Sequence, residues 1–122
     1  MCVFNDYIRA QEELKEFQKE IIVVTKNYNN VLKLFQKENI IDSPNAEKVK
    51  EKYDEMQKTN TEISLKKEEL KKIEKAIEEY LAAMNGMAIR YQYVNNGIDQ
   101  TFIFEMEVNG YGELVIKSEK QN

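Results

Sequence analysis

The chain has no histidine, a single cysteine, a single proline and four glycines, and it contains no long uninterrupted hydrophobic run. Each shortage excludes something. Without histidine the commonest general base and the commonest transition-metal ligand are both missing, which removes triad chemistry and zinc chemistry together. One thiol, Cys2, cannot close an intramolecular disulfide, and with no base beside it in sequence it reads as incidental. No glycine-rich phosphate loop and no nucleophile–base pairing occur, so the expectation is a protein that is not an enzyme and needs no cofactor. No stretch approaches the roughly 18 apolar residues needed to span a bilayer, and the opening Met-Cys-Val-Phe-Asn-Asp lacks a signal-peptide core. A cytoplasmic chain away from the membrane is expected.

Charge is plentiful but mixed. A net charge of −4 arises from 18 basic and 22 acidic residues, with no basic face standing out that would neutralise many phosphates, so nucleic acid is an unfavoured partner. In Lys66-Lys67-Glu68-Glu69-Leu70-Lys71-Lys72 glutamates fall at ion-pair spacing, as in Glu62 to Lys66 and Glu68 to Lys72, which describes a solvated helical face. A hydrophobic content of 42% beside 33% charge fits one small domain, residues 1–122, with a thin core. Lysine far outnumbers arginine and asparagine is abundant, a bias associated with low-GC bacteria, their phages and mobile elements.

What is present is a long helical seam. Val3, Tyr7, Ala10, Leu14, Phe17, Ile21, Val24, Tyr28, Val31 and Phe35 alternate gaps of four and three residues, the pattern of a helix lying along another helix. Asn5 or Asp6 is expected to cap this helix, which runs to about Lys37. Ser43-Pro44 places an N-cap hydroxyl before a proline at the first helical position and opens a second helix. The column Val49, Met56, Ile63, Leu70, Ile77 and Met84 is its apolar stripe, with companions Ala46, Tyr53, Asn60, Ile73 and Tyr80. Asn60 in that seam is either a register device or a solvated defect. Asn85-Gly86 supplies the left-handed stop. Similar lengths and a short connection predict an antiparallel helical hairpin over 3–85.

After Gly86 the period changes from seven to two. Met87–Val94 and Thr101–Val108 are aromatic and β-branched, joined through Asn96-Gly97, the strongest two-residue hairpin signal. Pairing about that turn sets Met87 opposite Met106, Ile89 opposite Phe104 and Tyr91 opposite Phe102 on one face, with Arg90, Gln92, Thr101 and Glu105 on the other. A second turn at Asn109-Gly110 leads to a third strand ending at Lys117, followed by a tail, 118–122. Two registers compete for it: a two-residue turn matches Met106 with Glu113, and a three-residue loop matches Met106 with Leu114 and Phe104 with Ile116. The apolar match is preferred. The expected fold is therefore α+β, a long antiparallel helical hairpin (coiled coil) followed by a small three-stranded antiparallel meander over 87–117.

Two surfaces are candidates for function. The block Ile21-Ile22-Val23-Val24 spans more than half the helix circumference, and Phe4, Ile8, Ile22 and Leu32 form a stripe beside the main seam. One partner helix cannot cover both. Either the sheet folds back over helix 1, or two copies pack through it; the second is preferred, with Phe4, Ile8, Ile21, Ile22, Val23 and Leu32 as the interface of a homodimer or higher oligomer. The second surface comprises Tyr91, Tyr93, Phe102 and Phe104 near Arg90, which can stack a planar ligand but more commonly form core. Glu105 and Glu107 share a strand face with no third ligand at defined spacing, so no metal site is assigned.

In outline, a coiled-coil hairpin followed by a small β module is similar to transcript-cleavage factors of the Gre type, whose acidic tip enters RNA polymerase; Asp42, Asn45, Ala46 and Glu47 stand at the corresponding tip. The β part is too short for that family's C-terminal domain. Prefoldin-like chaperones also resemble it, but their strands lie between the helices, whereas here they follow both. Arrangement alone carries no function. The expectation is a non-catalytic protein-binding protein, a small oligomeric inhibitor or adaptor of a host protein of the anti-defence type, with Asp42 at the tip or Arg90, Tyr91, Tyr93 and Phe102 on the sheet as contact candidates. Alternatives are a small-molecule or nucleotide-sequestering protein and an assembly scaffold or chaperone.

Overall fold

The computed structural model describes residues 2–38, 44–108, 110–111 and 114–121. It comprises helix α1 (Val3–Glu38), helix α2 (Pro44–Ala83) and strands β1 (Ile89–Asn95), β2 (Ile98–Val108) and β3 (Leu114–Gln121). The helices form a hairpin and the strands an antiparallel sheet in the order β1-β2-β3, so the fold is α+β as the periodicities predict. The chain divides into two compact units: unit 1 is Met1–Arg9 with Glu69–Asn122, and unit 2 is Ala10–Glu68.

Both helix starts follow from local chemistry. α1 begins at Val3, before the Asn5 or Asp6 cap expected, because Cys2 takes the capping position and the Asp6 N–H donates to the Cys2 carbonyl at 3.2 Å. Pro44 is the first residue of α2, where its missing N–H costs nothing; Ser43, its expected cap, lies outside the described residues. The end of α2 is a Schellman motif. Gly86 N–H donates to Leu81 O at 2.8 Å and Asn85 N–H to Ala82 O at 3.0 Å, with Asn85 at φ 58° and Gly86 at φ 72°.

In unit 2 the two helices pair antiparallel. Tyr28 and Tyr53 have ring centroids 5.8 Å apart, and Lys66 reaches Glu13 across the pair. The α1 seam from Ala10 to Phe35 is buried or half-buried throughout, as predicted. The α2 seam differs from expectation. Its apolar column Val49, Met56 and Ile63 is half-buried, but the accompanying positions are Lys52, Thr59 and Lys66, while Tyr53 and Asn60 are exposed. Lys52 and Lys66 are half-buried along their stems with their amines paired to Glu55 and Glu13, and Thr59, 3% exposed, donates its hydroxyl to the Glu55 carbonyl at 3.1 Å. Asn60 is thus no seam device.

Unit 1 holds most of the buried apolar side chains. Phe4, Tyr7, Ile8, Leu70, Ile77, Leu81, Tyr93, Phe102 and Phe104 are all buried. The β1–β2 register is Ile89↔Phe104 and Tyr91↔Phe102, and Asn96 (φ 52°) with Gly97 (φ 77°) forms the two-residue turn with positive φ at both central positions. Met87 precedes β1 and is exposed, so the expected pair with Met106 does not form. β3 pairs differently from both registers considered: Met106 faces Ile116, Phe104 faces Ser118 and Val108 faces Leu114. This keeps the face predicted for Ile116 but slides the strand by two residues. It also places Lys117 opposite Glu105, where the two form an ion pair at 3.6 Å, and carries β3 through the expected tail to Gln121. Gly110 lies in a turn, while Asn109 lies outside the described residues.

Candidate functional site

In unit 1 the aromatic residues of the sheet are turned to packing. The first turns of α1 bring Phe4 against Phe104 at 4.8 Å, Tyr91 at 5.6 Å and Tyr80 at 5.6 Å, and Tyr7 meets Phe104 edge-on at 5.7 Å. Tyr93 and Phe102 meet edge-on at 6.1 Å and are buried. Tyr93 and Phe102, considered as ligand-stacking residues, are core, and Arg90, one residue out of phase with Ile89, Tyr91 and Tyr93, is exposed on the other sheet face, where the alternation places it. Likewise Phe4 and Ile8, expected between copies, are enclosed within unit 1, because apolar strand residues reach the same stripe. Asp42 lies outside the described residues.

Tyr91 makes polar contacts to Cys2 and to Asn5 of α1. The Cys2 thiol donates to the Tyr91 oxygen at 3.3 Å, and the Tyr91 hydroxyl donates to Asn5 Oδ1 at 3.3 Å. Burial pushes the Cys2 thiol up, but its side-chain hydrogen bond with Tyr91 and those with the backbone of Asn5 and Phe4 outweigh it, so the thiol lies below its ordinary range. The same hydrogen bond to Cys2, followed by burial, pushes the Tyr91 phenol to about 12. The cluster is a side-chain cap on α1 tied to the sheet. Among the described residues no group of three or more His, Cys, Asp or Glu side chains is placed to hold a metal ion, and no helix is long and apolar enough to cross a membrane.

In unit 2 the outward side of α1 has the opposite character, because among the described residues of the unit its apolar side chains stay exposed. Ile22 is 70% exposed, Val23 57% and Leu34 53%, whereas Ile21 and Leu32 are half-buried. An open groove of about 590 Å³ runs along this side, lined by Ile22, Thr25, Lys26, Asn29 and Lys33 among others. The α1 lysines gather here. Lys15, Lys19, Lys26, Lys33 and Lys37 are all exposed, and their spacing of four, seven, seven and four residues puts them within about 40° of the helix circumference at 100° per residue. The near-neutral charge balance of the chain conceals this column; a helical projection of α1 alone discloses it. The expectation that no basic face stands out is corrected at this helix. Two of its carboxylates are turned away, Glu13 pairing with Lys66 of α2 and Glu20 lining a second groove with Val24, Glu55, Lys58, Thr59 and Glu62, while Glu12 and Glu16 border the column and Glu16 pairs with Lys19.

No protein-family model, curated protein or solved structure matches the chain.

Proposed function

We propose that this chain is a non-catalytic protein-binding protein that acts by contact, as an inhibitor or adaptor, and that its contact surface is the outward face of α1 in unit 2. The observation that carries this reading is the exposure of Ile22 and Val23 side by side at mid-helix. Adjacent apolar side chains left in water on a regular helix gain roughly 25 cal/mol per Å² when covered, and a helix face of this kind is a common seat for a partner helix. The ligand-sequestering alternative loses support, since Tyr93 and Phe102 are enclosed by their own unit.

The test is replacement of Ile22 and Val23 together by serine, chosen because both are exposed and their loss leaves the α1 seam intact. Affinity capture from the native host and equilibrium sedimentation are compared for the two proteins. Loss of a captured protein or of an oligomer, with helicity unchanged, is the expected result. Identical capture and identical mass for both would sink the proposal. A bound chromophore or nucleotide in native mass spectra, unchanged by the double substitution, would restore the ligand reading.

A further inference from the structure

We infer that the outward face of α1 between Lys15 and Lys37 docks an acidic helix: a partner polypeptide with a column of carboxylates around a short apolar centre. This deepens the reading above and rests on it. Three observations carry the inference, and the first is charge of one sign. Five exposed lysines form a column about 33 Å long at 1.5 Å per residue. Lys19 has an ion pair, with Glu16 at 3.5 Å and both side chains about three-quarters exposed; among the described residues Lys15, Lys26, Lys33 and Lys37 have neither an ion pair nor a hydrogen bond. The second is the apolar centre. At 100° per residue Ile22 falls on one side of the column and Val23 on the other, midway along it, with Asn29 and Asn30 taking the same two sides seven residues later.

The third is the symmetry of the spacing, which decides against a second copy. The column is symmetric about Lys26, with Lys19 and Lys33 seven residues to either side and Lys15 and Lys37 eleven. An antiparallel copy aligned on that centre sets Lys15 against Lys37 and Lys19 against Lys33, and a parallel copy sets every lysine against its twin. Both arrangements oppose like charges along the whole contact, which selects against self-pairing through this face. Phosphate backbones fit less well than an acidic helix. They offer nothing to Ile22 and Val23, and a duplex wider than a helix also meets Glu12, Glu16 and Glu20 on a chain whose net charge is −4. A helix carrying glutamates at spacings of four and seven residues, with two leucines mid-length, matches the face in charge, period and apolar content.

The probe is such a synthetic helical peptide of roughly 24 residues, sized to the column at 1.5 Å per residue, and fluorescence anisotropy reads its binding to the full chain. Controls are a glutamine-substituted peptide and a short DNA duplex. The expected result is binding that weakens as salt rises, is lost with the glutamine peptide, and falls roughly tenfold in Lys26→Glu/Lys33→Glu with helicity unchanged. Absence of peptide binding, or tighter binding of the duplex than of the peptide, overturns the inference. Sedimentation separates the two levels of failure. A dimer abolished by Ile22→Ser/Val23→Ser but strengthened by Lys26→Glu/Lys33→Glu would retain the binding face and replace the acidic partner with a second copy. A monomer indifferent to the peptide and unaltered in host-protein capture by Ile22→Ser/Val23→Ser would end both readings.

Discussion

Phe104 has no exposed surface and lies against Phe4, Tyr7 and Phe102, so truncating it opens a cavity that several rigid rings border. Phe104→Ala should lose about 3–5 kcal/mol of stability in a urea titration followed by far-ultraviolet circular dichroism. Cys2 offers a chemical test of its cap. Its alkylation rate should reach half-maximum at a lower pH than a free thiol, and Tyr91→Phe should move that midpoint upward, because the side-chain hydrogen bond between Cys2 and Tyr91 that lowers the thiol is gone. Glu74 is also displaced: burial first, then Glu78, push its carboxyl up from 4.5, with Lys71 opposing. A carboxyl raised in the folded state contributes its stability below 4.5 and loses it as pH climbs through the folded value, so the charged form is a cost at neutral pH. Glu74→Gln should therefore raise the melting temperature at pH 7 and leave it unchanged well below the carboxylate range. The positions of Phe4 and Ile8 show the limit of reading single residues. Their stripe is visible in the sequence, but a stripe says only that something covers it, and strands far along the chain decided what, Tyr91 and Phe104 lying against Phe4.

At the scale of elements, agreement was closest where chemistry is local. Asn96-Gly97 and Asn85-Gly86 adopt the left-handed backbone their sequences imply, since a tight hairpin turn and a helix stop each require positive φ within two residues. Gly97→Val, at φ 77°, should cost about 1–3 kcal/mol through backbone strain, read as a loss of sheet signal at lower denaturant than for the native chain. Cysteines at positions 92 and 101 in a Cys2→Ser background should cross-link under mild oxidation, because Gln92 faces Thr101 directly; cross-linking of 92 with 103 in preference would show a slipped pairing. The β3 register was less legible. Alternation determined which face Ile116 takes, but a shift of two residues preserves that face, and the Glu105–Lys117 pair distinguishes the registers only once the strands are side by side. The start of α1 was misplaced for a related reason: a cysteine is a weak cap by composition, and Cys2 serves because Tyr91 holds its side chain.

Across the whole molecule the apolar interior is unevenly shared. Unit 1 encloses its aromatic and aliphatic cluster, whereas among the described residues of unit 2 Ala10 and Thr59 are the buried ones. Hydrogen exchange should then be slowest around Ile77–Leu81 and in β2 and faster along the helices of unit 2. Equal protection in both units in dilute protein would indicate a covering partner, a second copy included. The seven-residue seam, the change of period after Gly86 and the glycine turns by themselves determined a helical hairpin followed by a meander, because helix and strand periods and left-handed turns are properties of short stretches. Tertiary structure alone decided which apolar stripe became interior, which lysine stems lined the seam and where β3 settled. Burial depends on the surfaces that distant segments bring together, and periodicity records that a face is apolar without naming what will lie against it.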